Sequence, residues 1–179
     1  MVTLIGMGAG LPGSLTAEGL AALQQADLIL GARRLLEHLP DGCTEHRKAL
    51  YKPEEILTCL AEHPEGDTAL LYSGDTGFYS GAAKLLPLLR EIREKYPHKT
   101  IWCFTGFRLD DELLADGSYP RCEATDAMLA CIDVLVDGRF MKELKDISLQ
   151  FRGSRNQRVI DMNRTRETGT VCIWDKLRR

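Results

Sequence analysis

Short apolar runs alternate with segments of helical spacing, and this alternation limits the fold more than any other feature of the chain. VTLIG (2–6), DLILG (27–31), TALLYSG (68–74) and KTIWCFTG (99–106) have the length and apolar continuity of buried strands. Between them, LTAEGLAALQQ (15–25), ARRLLEHL (32–39), KPEEILTCLAEH (52–63) and FYSGAAKLLPLLREIREKY (78–96) repeat their apolar residues every three or four positions. LDDELLA reads as a short helix, AMLACIDVLVDG (127–138) leads into a strand, and QRVIDM and TVCIWD read as closing strands. Strands that alternate with helices imply right-handed crossovers and a mostly parallel sheet covered by helices on both faces. The expected class is therefore α/β and Rossmann-like. Pro53 with Glu54 and Glu55 behind it suits a helix start, and Pro87 is expected to kink its helix or to begin one.

The 179 residues suffice for a sizeable core, and 44% hydrophobic with 27% charged residues is an ordinary globular composition. No apolar run approaches the roughly 20 residues of a membrane span, and glycines interrupt the first apolar run before it could serve as a signal peptide. The reading is a cytoplasmic protein with no membrane partner. The six cysteines stand at least nine positions apart, with no CxxC, so no metal ligands are assigned and reduced, mostly buried thiols are expected. His38, His46, His63 and His98 are read as surface residues. Charge is uneven: residues 1–138 carry 12 Lys and Arg against 21 Asp and Glu, whereas 139–179 carry 11 against 5. Arg152, Arg155, Arg158, Arg164 and Arg166 make that tail basic. A solvated face is the favoured reading, and nucleic acid is not an expected partner because aromatic interleaving is sparse.

Ligands of such sheets bind beyond the carboxyl ends of the strands, where two glycine loops fall. Gly6, Gly8 and Gly10 follow the first strand, although Leu11 holds the place of the third glycine of a dinucleotide fingerprint. Ser73, Gly74, Asp75 and Thr76 follow TALLY. Neither loop carries a Lys-Ser/Thr pair, so a nucleoside-triphosphate loop is excluded. Asp75 can accept from sugar hydroxyls or face a cation, which suits a small molecule with a sugar and a positive centre. Asp133 and Asp137 could be paired carboxylates but read better as strand-end braces. No catalytic residue is assigned.

These residues carry a resemblance. VTLIGMGAGLPGSLTAEGLAALQQADLILGARRLLE followed by LLYSGDTGFYSGAAKLL is similar to the amino-terminal half of the tetrapyrrole methylases, nearest the precorrin-6Y / cobalt-precorrin-7 C5-methyltransferases of cobalamin biosynthesis. That family binds S-adenosylmethionine, which implies cofactor-binding roles for Gly6, Gly8, Gly10, Ser73, Gly74, Asp75 and Thr76. Residues from about 90 to 179, carrying KTIWCFTGF, DVLVDGRF, FRGSRNQRVID and ETGTVCIWD, resemble the carboxy-terminal half of the anaerobic ribonucleotide-reductase activating proteins, which are radical S-adenosylmethionine enzymes. Those need a CxxxCxxC loop for a [4Fe–4S] cluster, and no cysteine here has that spacing. The resemblance thus implies one α/β domain of two segments, 1–89 and 90–179, joined near 85–98, as an engineered or fused chimera. Its expected behaviour is weak binding of S-adenosylmethionine or S-adenosylhomocysteine without catalysis, with no iron–sulfur cluster and no radical chemistry. The alternatives are a cobalamin-pathway methyltransferase and a non-enzymatic interaction module using the basic tail. An exposed edge at the join would favour a homodimer.

Overall fold

The structure, a computed structural model, describes residues 1–7, 15, 17–72 and 82–175. Seven strands form one sheet: β1 (Val2–Gly6), β2 (Leu28–Gly31), β3 (Arg47–Lys48), β4 (Thr68–Tyr72), β5 (Ile101–Phe104), β6 (Val134–Asp137) and β7 (Arg158–Asp161). Their order is β3-β2-β4-β1-β5-β6-β7, all neighbours parallel except β6 and β7, which are antiparallel. The helices are α1 (Ala17–Gln25), α2 (Arg33–Leu36), α3 (Pro53–Glu62), α4 (Ala82–Lys95), α5 (Thr125–Ala130) and α6 (Met162–Thr168). The α/β reading holds.

Period-two alternation sends each strand's residues to two faces. Val2, Leu4, Leu28, Leu30, Leu70, Ile101, Cys103, Leu135 and Ile160 meet α3, α4 and α5 on one face. On that face α3 buries Ile56, Leu57, Cys59 and Leu60, each large aliphatic side chain contributing about 1.5–3 kcal/mol. Ile5, Ile29, Ala69 and Leu71 point the other way, onto Leu23 of α1, Ala26 just after it and Leu35 of α2. Farther along that second face, Trp102, Val134, Val136 and Val159 are covered by no helix of the described residues. The connection 138–157 and Trp174 lie over them instead, with the Trp102 ring 4.8 Å from that of Phe151 and 5.8 Å from that of Trp174.

Pro53 at the first position of α3, with Glu54 and Glu55 in its first turn, matches the sequence reading. Close approach explains Gly31, where an added Cβ would lie 2.8 Å from the Cβ of Leu71 on the neighbouring strand. One element differs from expectation and two are refined. TVCIWD is no strand; it touches β7 through a single bridge, Ile160 to Ile173, because α6 and its left-handed cap Gly169 (φ 68°) return the chain to the edge for only a few residues. Pro87 neither begins nor ends α4: it sits exposed inside the helix, which the burial of Leu85, Leu88, Leu89 and Ile92 holds across the missing hydrogen bond. LDDELLA forms a π-helical turn over Leu109–Leu113.

Candidate functional site

Gly6 pairs with Tyr72 at the carboxyl ends of β1 and β4, and the Met7 N–H donates to the Tyr72 carbonyl at 2.8 Å. The two glycine loops therefore start side by side at the edge where ligands of parallel sheets bind. Burial holds the Tyr72 phenol well above its ordinary pKa and so keeps it neutral at this junction. Of the residues named for S-adenosylmethionine, Gly6 is placed here; Gly8, Gly10, Ser73, Gly74, Asp75 and Thr76 lie outside the described residues.

Along the same edge, a buried ionic network ties the far half of the sheet together. The Asp137 side chain, at the end of β6, is 1% exposed. It accepts from the Leu109 N–H at 2.8 Å and from Arg158 Nε at 2.9 Å, and Arg158 Nη2 closes the pair. The same guanidinium holds Asp110 in a two-pronged pair, both contacts at 2.9 Å. Hydrogen bonding to Arg158 holds the Asp110 carboxyl well below the usual carboxylate range, and Asp137 and Asp110 raise the Arg158 pKa further. One arginine thus joins β7, the end of β6 and the π-helical turn. Nothing in the sequence spacing of Asp110, Asp137 and Arg158 announces this; only the antiparallel register pairing Asp137 with Arg158 creates it.

Asp133 is a brace, as read from the sequence. It accepts from the Ile101 N–H at 2.8 Å and pairs with Arg93 at 2.6 Å, fixing α4 against β5 and β6. The basic tail is largely committed inside the molecule. Arg152 donates to the Gln157 carbonyl, Arg164 pairs with Asp175, and Arg166 donates to the carbonyls of Leu129 and Ile132. Arg155 lies 4.0 Å from Asp146. All four histidines are exposed.

The connection 138–157 has its own polar lock. Gln157 Oε1 accepts from the N–H groups of Gly153 and Ser154 while its Nε2 donates to the Gly138 carbonyl. This lock presents Phe140, Met141 and Ile147, which are 41%, 44% and 90% exposed. Beneath Ile147 and Phe151, a cavity of about 690 Å³ is lined by Thr3, Asp67, Trp102 and Phe104. It opens from the amino-terminal ends of β1 and β4, away from the glycine loops.

Residues 44–160 match the family described as a 4Fe-4S single cluster domain. The chain is 38% identical over 87 residues to the anaerobic ribonucleoside-triphosphate reductase-activating protein of Haemophilus influenzae, covering 49% of this chain and 50% of that protein. It is 42% identical over 89 residues to the protein of the same name from Escherichia coli, covering 50% of this chain and 52% of that one. The chain thus spans about half the length of the curated relatives it matches. Among solved structures it is similar to the precorrin-6Y methylase of Archaeoglobus fulgidus, at 17% identity over 91% of this chain and 90% of that one, with a TM-score of 0.41.

These findings correct several expectations. The match spans residues 44–160 and so both sides of the supposed join at 85–98, against an engineered or fused chimera without catalysis. The cobalamin-pathway methyltransferase and the non-enzymatic module with a basic tail fall as well, because the relatives are named as reductase-activating proteins. The expectation of no iron–sulfur cluster is overturned by the family itself. The thiols of the described residues do not, however, form a cage for one. Cys43, Cys59, Cys103 and Cys131 are buried, Cys122 and Cys172 are half-buried, and no three thiols come together among the described residues. No helix among the described residues is long and apolar enough to cross a membrane.

Proposed function

Because the chain belongs to the 4Fe-4S single cluster domain family, we propose that it takes part in activating an anaerobic ribonucleoside-triphosphate reductase. The match over residues 44–160 carries this reading, supported by 38–42% identity to activating proteins over half the chain. In this reading the carboxyl edge of the sheet is the working edge. Gly6, Gly8, Gly10, Ser73, Gly74, Asp75 and Thr76 hold a small molecule with a sugar and a positive centre, Asp75 supplying the counter-charge. The Asp110–Arg158–Asp137 network keeps the other half of that edge rigid. The ordered connection 138–157 then offers Phe140, Met141 and Ile147 to the reductase, since exposed apolar side chains clustered on one connection mark an interaction surface. A ribonucleotide-processing partner and reduced thiols both suit the cytoplasm.

The test is reductase turnover under anaerobic conditions with and without the full chain. The expected result is turnover that depends on the chain and falls at least about tenfold in Asp75→Ala, as loss of a charged ligand contact does. Turnover indifferent to the chain would refute the reading.

A further inference from the structure

We propose that Cys59, Glu62 and His63 form a binding site for a zinc-type divalent metal ion, independent of the reductase reading and of any iron–sulfur cluster. Their ligand atoms (a thiol sulfur, a carboxylate oxygen and an imidazole nitrogen) all lie within 4.8 Å of one another. Around tetrahedral zinc, bonds of about 2.0–2.3 Å set ligand atoms roughly 3.3–3.8 Å apart, so a change of about 1 Å closes the set. Such a change is available. Glu62 and His63 are exposed at the end of α3, and only Cys59 is fixed in the core.

The placement follows from helix geometry. Residues 59, 62 and 63 stand at i, i+3 and i+4, so they share one face of the last turn of α3 and its cap. A helix carboxyl end carries partial negative charge and favours a cation. One thiolate, one carboxylate and one neutral imidazole balance a divalent ion, and this mixed sulfur, nitrogen and oxygen set suits zinc. On binding, the Cys59 thiol gives its proton to solvent. Glu62, His63 and the Cys59 thiol supply three ligands. His63 also borders a cavity of about 300 Å³ with His46 and Asp27, ample for a water as the fourth, since a water occupies about 30 Å³.

A second observation points the same way. The ammonium of Lys48 on β3 lies 3.3 Å from Glu62 Oε2. A cation is therefore already held against one of the three donors, by a flexible side chain that can swing into solvent.

Zinc(II) is titrated into the reduced full chain against a chromophoric chelator, and cobalt(II) is substituted to read the ligand field. One equivalent is expected to bind, with cobalt showing a tetrahedral spectrum and a thiolate-to-metal band. His63→Ala, an exposed change that leaves the core intact, weakens binding by at least the roughly 100-fold that outer-shell changes alone can reach. Cys59→Ser abolishes the thiolate band, and Lys48→Met tightens binding by removing the competing ammonium. Zinc affinity unchanged in His63→Ala, or a cobalt thiolate band that survives in Cys59→Ser, would overturn the site.

Discussion

The second face of the sheet is closed in two ways. Under β1, β2 and β4, helices α1 and α2 bury Leu23 and Leu35 against Ile5, Ile29 and Leu71. Under β5, β6 and β7, no helix of the described residues covers Trp102, Val134, Val136 and Val159; an irregular connection does so with aromatic anchors and buried polar groups. A helix brings its own satisfied backbone to a core, so its contribution is apolar area and tolerates exchange of similar side chains. An irregular cover must satisfy each backbone group separately, which here falls to Gln157, Ser154 and Arg152. The cover also stores strain: Phe151 stands at φ 57°, a conformation rare for a bulky residue, with its ring against Trp102. The loop-covered half should therefore be the more fragile to polar substitutions, and the helix-covered half to apolar truncations.

The largest effect is expected at the ionic network. Asp137→Ala strips the Leu109 N–H and leaves Arg158 half-buried, costing about 3–5 kcal/mol in urea unfolding, as broken buried pairs do. A cost under about 1 kcal/mol would erase the contrast between the halves. Next come the apolar truncations. Leu23→Ala and Trp102→Ala should cost about 2–5 kcal/mol each, but with different patterns of hydrogen exchange. Trp102→Ala releases amides of 146–151 ahead of global unfolding, whereas Leu23→Ala lowers protection evenly across β1, β2 and β4. Even loss in both variants would show that the loop is no weaker a cover than the helices. Gln157→Ala comes third, about 1–3 kcal/mol for the Gly153 and Ser154 N–H groups it orphans. Gln157→Glu should recover part of that loss, because Oε1 remains an acceptor.

The smallest effect is acid sensitivity at Asp110. Its folded pKa is depressed by Arg158, so its contribution is complete above the unfolded value near 4 and fades as pH falls through the folded one. Stability measured from pH 5 downward should decline, and less steeply in Asp110→Asn. Because the Asp110 side chain is 39% exposed, added salt should flatten the slope as well. Identical slopes in the two proteins would remove Asp110 from the network.

What the sequence disclosed follows the range of the interactions involved. VTLIG and TALLY are continuous apolar runs, and continuity is what a strand buried on both faces requires, so β1 and β4 were legible. The start of α3 was legible because Pro53, Glu54 and Glu55 act on the helix within a single turn. The antiparallel turn of β7 was not, since QRVID carries the same pattern in either direction. Asp110 and Arg158 lie 48 positions apart, and only tertiary pairing makes them partners. TVCIWD misled because its apolar content serves to place Trp174 on Trp102 rather than to extend the sheet. Cys59, Glu62 and His63 have helical spacing in plain view, yet a single cysteine reads as a core thiol and a single histidine as a surface imidazole until the end of α3 brings them together. The glycine loops were conspicuous as sequence, and the structure describes where they begin, at Gly6 and Tyr72.

The most direct measurement of the reductase reading is sedimentation velocity of the full chain mixed with an anaerobic ribonucleoside-triphosphate reductase. A complex of micromolar or tighter affinity is predicted, weakened about tenfold or more when Phe140 and Met141 are both changed to serine, since each buried apolar anchor is worth over 1 kcal/mol. Chain and reductase sedimenting independently at tens of micromolar, well above that predicted affinity, would contradict it.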